Sequence, residues 1–172
     1  NSVQTAEKVY QSYTLEVTNP GGHSSRPRKD NAIYQLAHAL TRIESYQFPF
    51  GLNETTRAMF AASASNMPAD VARAIPGLLQ DPPQADSISF LEKDYGALFR
   101  TTCVATQLEA GHAENALPQR ARATVNCRVL PGTSLAGVKS ALAQIIDDES
   151  VAITPVLDAN PSDPSPLKEN VM

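Results

Sequence analysis

The stretch NPGGHSSRP, residues 19–27, holds the residue of this chain that is best suited to chemistry. It places His23, one of three histidines in 172 residues, between two glycines and two serines. An imidazole can donate a hydrogen bond or exchange a proton near neutral pH, and glycines let the backbone approach a ligand closely. From these residues alone, His23 is either a functional residue or part of a polar turn.

The other residues do not complete an active site. His38 and His112 lie far from His23 in sequence, and no H-x-D or H-x-x-x-H motif is present, so no metal site is indicated. We expect His38 to be a solvated helix residue and His112 a surface residue of a loop. Ser24 and Ser25 follow His23, but there is no G-x-S-x-G motif, and the dipeptide alone is not expected to aim a hydroxyl at the imidazole.

Composition excludes several classes of function. The net charge is −4 and the pI about 5.3, which argues against nucleic acid as a partner. No apolar run approaches the roughly 20 residues of a membrane span. Hydrophobic residues make up 42% and charged residues 19%, as in a globular domain with one core.

The two cysteines, Cys103 and Cys127, are too few for a metal site and form no C-x-x-C motif. Both fall in segments with strand character, where an unpaired cysteine behaves as a small hydrophobic residue. We therefore expect buried thiols rather than a disulfide.

Hydrophobic periodicity predicts four strands and two main helices. Alternation predicts strands at 10–19, 101–110, 121–130 and 151–157, the last an edge strand because it contains Pro155. The first helix ends near Tyr46, with Pro27 in an early turn and Asp30 as a cap. The predicted apolar stripe of the first helix is Ile33, Leu36, Ala37, Leu40 and Ile43. That of the second helix is Leu135, Val138, Leu142, Ile145 and Ile146. Thr133 or Ser134 would cap the second helix.

Residues 47–100 are less regular and read as a mainly helical insertion. Helices are predicted at 53–65, 69–79 and 87–99, with Pro49, Pro68, Pro76, Pro82 and Pro83 as breakers. Without the insertion the order is βαββαβ. This predicts an α+β, ferredoxin-like two-layer sandwich, a four-stranded antiparallel sheet with two helices on one face. The first and third strands would be central, and the second would leave an edge open to self-association.

The motifs GGHSSRP, AGHAENALPQ and NCRVLPG, in this order, resemble the lid or dimerisation domain of a di-zinc peptidase family. That family includes aminoacylases, glutamate carboxypeptidases and succinyl-diaminopimelate desuccinylase. The resemblance covers residues 9–43 and 101–156, and the insertion is similar to that of the carboxypeptidase-S-like branch. It implies a parent hydrolase that binds two zinc ions in a separate catalytic domain, and a lid fragment that is inactive alone and binds no metal.

The resemblance also implies roles for single residues. His23 matches the lid histidine that reaches the neighbouring subunit's active site and stabilises the oxyanion. Asn115 and Arg128 match residues that bind the substrate's carboxylate, and both could face one cleft across a hairpin. Gly22 would be a third substrate-binding residue. Without the resemblance, Asn115 could simply shape its loop, Arg128 could be a solvated strand residue, and Gly22 a turn former.

The expected organisation follows from the same resemblance. Residues 1–8 and 158–172 would be linkers to the missing catalytic domain, and residues 9–157 the lid domain. The partners would be that catalytic domain, a second copy bound through the second strand and first helix, and a peptide or N-acyl amino acid substrate. An inserted segment replaces the partner in some family members, so residues 47–100 leave a monomer open. The alternative is a ferredoxin-like binding or regulatory module with no enzyme parent.

Overall fold

The computed structural model describes residues 7–157 and 159. Its long strands are β1 (Val9–Thr18), β3 (Thr102–Ala110), β5 (Arg120–Val129) and β6 (Ala152–Pro155). They form one antiparallel sheet in the order β3-β5-β1-β6, and helices α1 (Ala32–Ser45) and α5 (Leu135–Ile146) pack on one face. Two short strands, β2 (Gly22–His23) and β4 (Ala116–Leu117), pair separately. The ferredoxin-like prediction is confirmed, including the central places of the first and third long strands.

The core lies between the sheet and the two helices because alternate strand residues point to the same face. Tyr13, Leu15 and Val17 of β1 are buried there, as are Ala123 and Val125 of β5. The opposite, open face of the sheet is polar. Thr14 and Arg122 lie on it, with the guanidinium donating to the threonine hydroxyl at 3.3 Å.

The N-cap of helix α1 lies one residue later than predicted. Asn31, not Asp30, is the N-cap, because its side-chain oxygen accepts from the backbone N–H of Ile33 at 2.9 Å. Asp30 instead pairs with Arg28, and Pro27 lies in the loop before the helix.

The buried stripe of α1 also differs from the predicted one. Leu36 and Ile43 are buried as expected, but Ile33 is 40% exposed and Ala37 is exposed. The residues that face the sheet are Ala32, Leu36, Ala39 and Ile43. This 4-3-4 spacing is an equally regular helical line, so Ile33 is left on the flank of the helix.

The insertion folds as a helical unit with its own small core. It comprises α2 (Glu54–Ser63), a 3₁₀ turn (Ala64–Asn66), α3 (Ala69–Leu78) and α4 (Ala85–Phe99). Its buried residues are Phe60, Val71, Ile75, Leu78, Leu91 and Phe99. Pro76 does not break α3 but lies inside it, near the C-terminal end, where only two more helical residues follow.

Arg100 joins the insertion to the rest of the domain. Its guanidinium forms an ion pair with Glu92 of α4 and donates to the carbonyl of Phe48 at 2.6 Å. The N–H of Gly51 also donates to the carbonyl of Phe99 at 2.7 Å. Both ends of the insertion are therefore fixed at one place.

The expectation of buried thiols is wrong, because Cys103 and Cys127 form a disulfide. Cys103 of the edge strand β3 lies directly opposite Cys127 of β5, with the two Cα atoms 4.1 Å apart. This short separation is typical of a pair that exchanges no backbone hydrogen bonds. The bridge fastens the edge strand to the centre of the sheet.

Both edges of the sheet are formed by the strands that were predicted to form them, β3 and β6. Pro155 ends β6, a short edge strand that pairs only with β1 among the described residues. At the other edge, the nine residues of β3 have a free side within the described chain. Val104 and Leu108 of this strand are 58% and 68% exposed.

The predicted linkers fall mostly on residues 1–6, 158 and 160–172, outside the described residues. Within them, Lys8 is ordered against the insertion, and its ammonium donates to the carbonyl of Ala97 at 2.8 Å. None of the described helices is long and apolar enough to cross a lipid bilayer.

Candidate functional site

A glycine turn carries the chain from β1 to His23. Gly21 has φ of 76° and Gly22 of 147°, conformations that residues with a side chain rarely adopt. A Cβ on Gly21 would also lie 2.6 Å from Cγ of Gln119. The turn is tied to the start of β5, since the N–H of Asn19 donates to the carbonyl of Gln119 at 2.9 Å. The two glycines are therefore required by the backbone path.

The small β2–β4 sheet brings His23 and Asn115 together. His23 pairs with Ala116, and the next N–H, that of Ser24, donates to the carbonyl of Asn115 at 3.0 Å. His23 and Asn115 are both exposed. Gly22 pairs with Leu117 on the same ribbon and is also exposed. Two candidate side chains thus share one end of the domain, on adjacent segments 92 residues apart in sequence.

A tight turn holds the imidazole of His23. The N–H of Arg26 donates to the carbonyl of His23 at 2.9 Å. Nδ1 of His23 accepts from the N–H of Ser25 at 3.2 Å, and it lies 2.8 Å from the hydroxyl oxygen of Ser25. The turn therefore does aim a serine hydroxyl at the imidazole, contrary to the sequence-based expectation. The ring's second nitrogen, Nε2, remains available as a donor.

Arg128 lies at the other end of the sheet. It pairs with Tyr10 at the start of β1, whereas the His23 ribbon lies beyond the pair of Thr18 and Arg120 at the far end. Arg128 lies eight positions after Arg120 along β5, about 26 Å of extended strand. Within one chain, Arg128 and Asn115 therefore do not face one cleft.

The surroundings of Arg128 suit an anionic group. Its guanidinium carbon lies 4.8 Å from the ring centre of Tyr10, a cation–π contact that orients the guanidinium group. Lys8 is a second cation nearby. Burial, and to a lesser degree the charge of Arg128, lowers the pKa of the Lys8 ammonium below its ordinary value. Sequence inspection missed Lys8, since a lysine just before a strand carries no pattern.

The other histidines lie elsewhere. His38 is exposed on α1, beside a groove between α1 and α5 that Arg42 and Tyr46 also line. His112 is exposed in the loop between β3 and β4. Across residues 7–157 and 159, no three His, Cys, Asp or Glu side chains converge in a way that could hold a metal ion.

The curated proteins similar in sequence to this chain include a carboxypeptidase S-like protein and an N-fatty-acyl-amino acid synthase/hydrolase. The chain is 32% identical over 166 residues to a "Probable carboxypeptidase S-like 2" of Dictyostelium discoideum, covering 96% of this chain and 31% of that protein. It is 31% identical over 172 residues to an "N-fatty-acyl-amino acid synthase/hydrolase PM20D1" of Xenopus tropicalis, covering 99% and 33%. The chain thus spans about a third of these relatives, which match it across the insertion as well.

A solved structure shares the fold. An "M20 family metallo-carboxypeptidase Sso-CP2 from Sulfolobus solfataricus" superimposes with a TM-score of 0.52 at 18% identity, covering 88% of this chain and 45% of that one. The family model described as "Peptidase dimerisation domain" matches residues 5–154. The resemblance inferred from the GGHSS and NCRVLPG motifs is confirmed, and this chain belongs to the peptidase dimerisation domain family of the M20 metallopeptidases.

Proposed function

We propose that this chain is the lid of a zinc-dependent exopeptidase or amidohydrolase that cleaves peptides or N-acyl amino acids, and that His23 takes part in catalysis. The observation that carries the proposal is the fixed imidazole: Ser25 contacts Nδ1, and among the described residues Nε2 has no hydrogen-bond partner at this exposed end of the domain. A donor held in this way can meet the oxygen on which negative charge develops during amide hydrolysis.

The catalytic domain would lie outside these 172 residues. The similar curated proteins are about three times longer, and their names describe a probable carboxypeptidase S-like protein and an N-fatty-acyl-amino acid synthase/hydrolase. The described residues do not fit a metal site. The two zinc ions expected of the whole enzyme would therefore be bound by the catalytic domain, and this chain alone would hydrolyse nothing.

The dimer would form through β3 and α1. The free edge of β3 can extend the sheet into a second copy, and Val104 and Leu108 are its exposed apolar side chains. Helix α1 packs beside β3 and exposes Ile33 and Tyr34, at 40% and 61%. A two-fold contact of this kind would bury exposed apolar surface from both elements.

Two-fold pairing would also resolve the separation of the candidate residues. In an antiparallel β3–β3 contact, the end of one copy lies beside the opposite end of the other. The Arg128 end of one protomer would then adjoin the end of its partner that carries His23 and Asn115. We propose that each active site takes Arg128 from its own chain, and His23 and Asn115 from the partner.

In this arrangement each candidate residue would have its own role toward the substrate. Arg128 would bind the free α-carboxylate of the substrate, since a guanidinium can grip a carboxylate with two parallel hydrogen bonds. Asn115 would contribute its carboxamide to the same substrate end, and Gly22 would let the backbone approach closely. His23 would donate from Nε2 to the scissile carbonyl oxygen.

The test is hydrolysis of an N-acyl amino acid panel by the full-length parent loaded with zinc. His23→Ala should lower kcat about 10²–10³-fold with little change in KM, as expected for a lost transition-state donor. Lys139→Ala is the control, because this exposed residue lies on α5, outside the His23 turn and outside β3 and α1. An active parent in which both variants behave like the wild type would reduce the lid's role to assembly.

A further inference from the structure

A row of three side chains crosses the open face of the sheet at the end that carries Arg128. Arg128 of β5 lies directly opposite Tyr10 of β1 on one side and Thr102 of β3 on the other. Residues that lie directly opposite in paired strands have their side chains on the same face of the sheet. The guanidinium lies over the ring of Tyr10, so its neighbour on the other side is Thr102.

Lys8 reaches the same place from the segment before β1. Its ammonium donates to the hydroxyl of Thr102 at 3.3 Å and to the carbonyl of Ala97 in α4 at 2.8 Å. An ammonium has three N–H donors, so these two contacts leave one donor for a ligand. Lys8 is partly buried, and its hydrogen bonds hold the charge beside the residue that lies opposite Arg128.

Neither cation has an acidic partner in the part of the chain that the structure describes. The arginines that form ion pairs there are Arg28, Arg100 and Arg120. Burial first, and the charge of Arg128 second, lower the pKa of the Lys8 ammonium. A nearby negative charge favours the charged form of an ammonium, so an anion held between Lys8 and Arg128 would counteract both effects.

We infer that Lys8 is a second carboxylate-binding residue, which binds the same carboxylate as Arg128. A guanidinium can donate two parallel hydrogen bonds to a carboxylate, and the carboxylate oxygens can accept further ones, here from the remaining N–H of Lys8. The inference rests on the proposed function, in which Arg128 binds the free α-carboxylate of the substrate. It adds a second positive charge to that site, which would select a carboxylate over a neutral amide or ester.

The direct test is an NMR titration of this chain with N-acetylglycine at neutral pH and constant ionic strength. The ¹⁵N resonances of the Lys8 ammonium and the Arg128 guanidinium should both respond, with one dissociation constant. N-acetylglycinamide has the same acyl group without the charge and should shift neither. Lys8→Gln keeps an N–H donor but loses the charge. It should weaken binding about five- to tenfold, between the effect of an exposed ion pair and that of a hydrogen bond to a charged group.

Two further variants make the result specific. Lys139→Gln removes the same charge from an exposed position on α5 and should leave the dissociation constant unchanged. Lys8→Arg keeps the charge and should bind more tightly than Lys8→Gln. The wild-type titration does not depend on whether a variant folds. A response of Arg128 without one of Lys8, or equal dissociation constants for Lys8→Gln and the wild type, would overturn the inference.

Kinetics of the full-length parent separate this inference from the proposed function. Lys8→Gln should raise KM for N-acyl amino acids about five- to tenfold with kcat unchanged, because the carboxylate is bound equally in the ground state and the transition state. If Arg128→Ala raises KM and Lys8→Gln does not, the role of Lys8 alone is overturned. If both residues bind N-acetylglycine but neither variant changes KM, the proposed use of Arg128 fails and the carboxylate site stands.

Discussion

His23 and Arg128 lie at opposite ends of the central strand pair of the sheet. Arg128 pairs with Tyr10 at the start of β1, and His23 follows the glycine turn after the other end of β1. One chain therefore does not bring both side chains to one small substrate, since about 26 Å of β5 separates Arg128 from Arg120 and the His23 turn lies beyond Arg120. In the proposed dimer, a second copy turned end for end would supply the other half of the site.

The first prediction concerns the edge of β3, through which the proposed second copy would bind. Leu108→Glu would place a charge on the exposed side of β3, so that pairing of two copies would bury like charges. We expect the dimer to dissociate to monomers in sedimentation analysis. Leu157→Glu is the matched control, because Leu157 is 80% exposed just after β6, at the opposite edge, and should leave the assembly unchanged. An equal effect of the two substitutions would place the interface elsewhere.

The disulfide should contribute substantially to stability. It closes a loop across a sequence separation of 24 residues, which corresponds to about 3 kcal/mol in the chain-entropy description. Cys103→Ser should therefore lower the melting temperature by about 6–12 °C. A reductant should have a similar effect on the wild type and none on a double Cys103→Ser, Cys127→Ser chain. If reduction leaves the wild-type melting temperature unchanged, the bridge has no such role.

The glycine turn should tolerate no side chain. Gly21→Ala combines a φ of 76° with a Cβ 2.6 Å from the side chain of Gln119, so we expect a loss of about 1–3 kcal/mol. The same change should disturb the amide resonances of His23 and Asn115. Gly96→Ala is the control, since Gly96 lies within α4 and its added Cβ would come no closer than 3.8 Å to a neighbour. That variant should be neutral or slightly stabilised.

Lys8 should make the free energy of unfolding change with pH in the alkaline range. Burial first, and then Arg128, lowers the pKa of this ammonium in the folded state below its ordinary value of 10.5. Between the two pKa values the unfolded chain binds more protons, so the free energy of unfolding should rise with pH in that window. Lys8→Gln should flatten the rise. Identical slopes for the variant and the wild type in chemical denaturation would contradict this account.

Alternation and helical periodicity were sufficient to predict the sandwich, its strand order and its edges. Pro155 could be assigned to an edge because a proline cannot donate within a sheet. Asn31 was missed as a cap because Asp30 beside it is an equally suitable residue by type. The buried line of α1 was misplaced because Ile33 and Ala32 define competing faces, and only the packed sheet decides between them.

The disulfide shows why register could not be predicted. Ala110 pairs with Ala121, and an unbroken ladder from that pair would set Cys103 opposite Arg128. A β-bulge between Ala105 and Gln107 shifts the ladder by one residue and brings Cys103 opposite Cys127. No residue type in TTCVATQLEA indicates that bulge. The contact of Ser25 with His23 was hidden for a similar reason, since it depends on how the turn closes.

The most direct test of the account is complementation between two inactive subunits of the full-length parent. His23→Ala and Arg128→Ala chains, co-expressed with different tags, would form mixed dimers that contain one intact site and one doubly damaged site. We predict recovery of about a quarter of wild-type activity, because half of the dimers are mixed and each has one working site. A mixture as inactive as either variant alone would contradict the composite site, since it would mean that His23 and Arg128 serve the active site from the same chain.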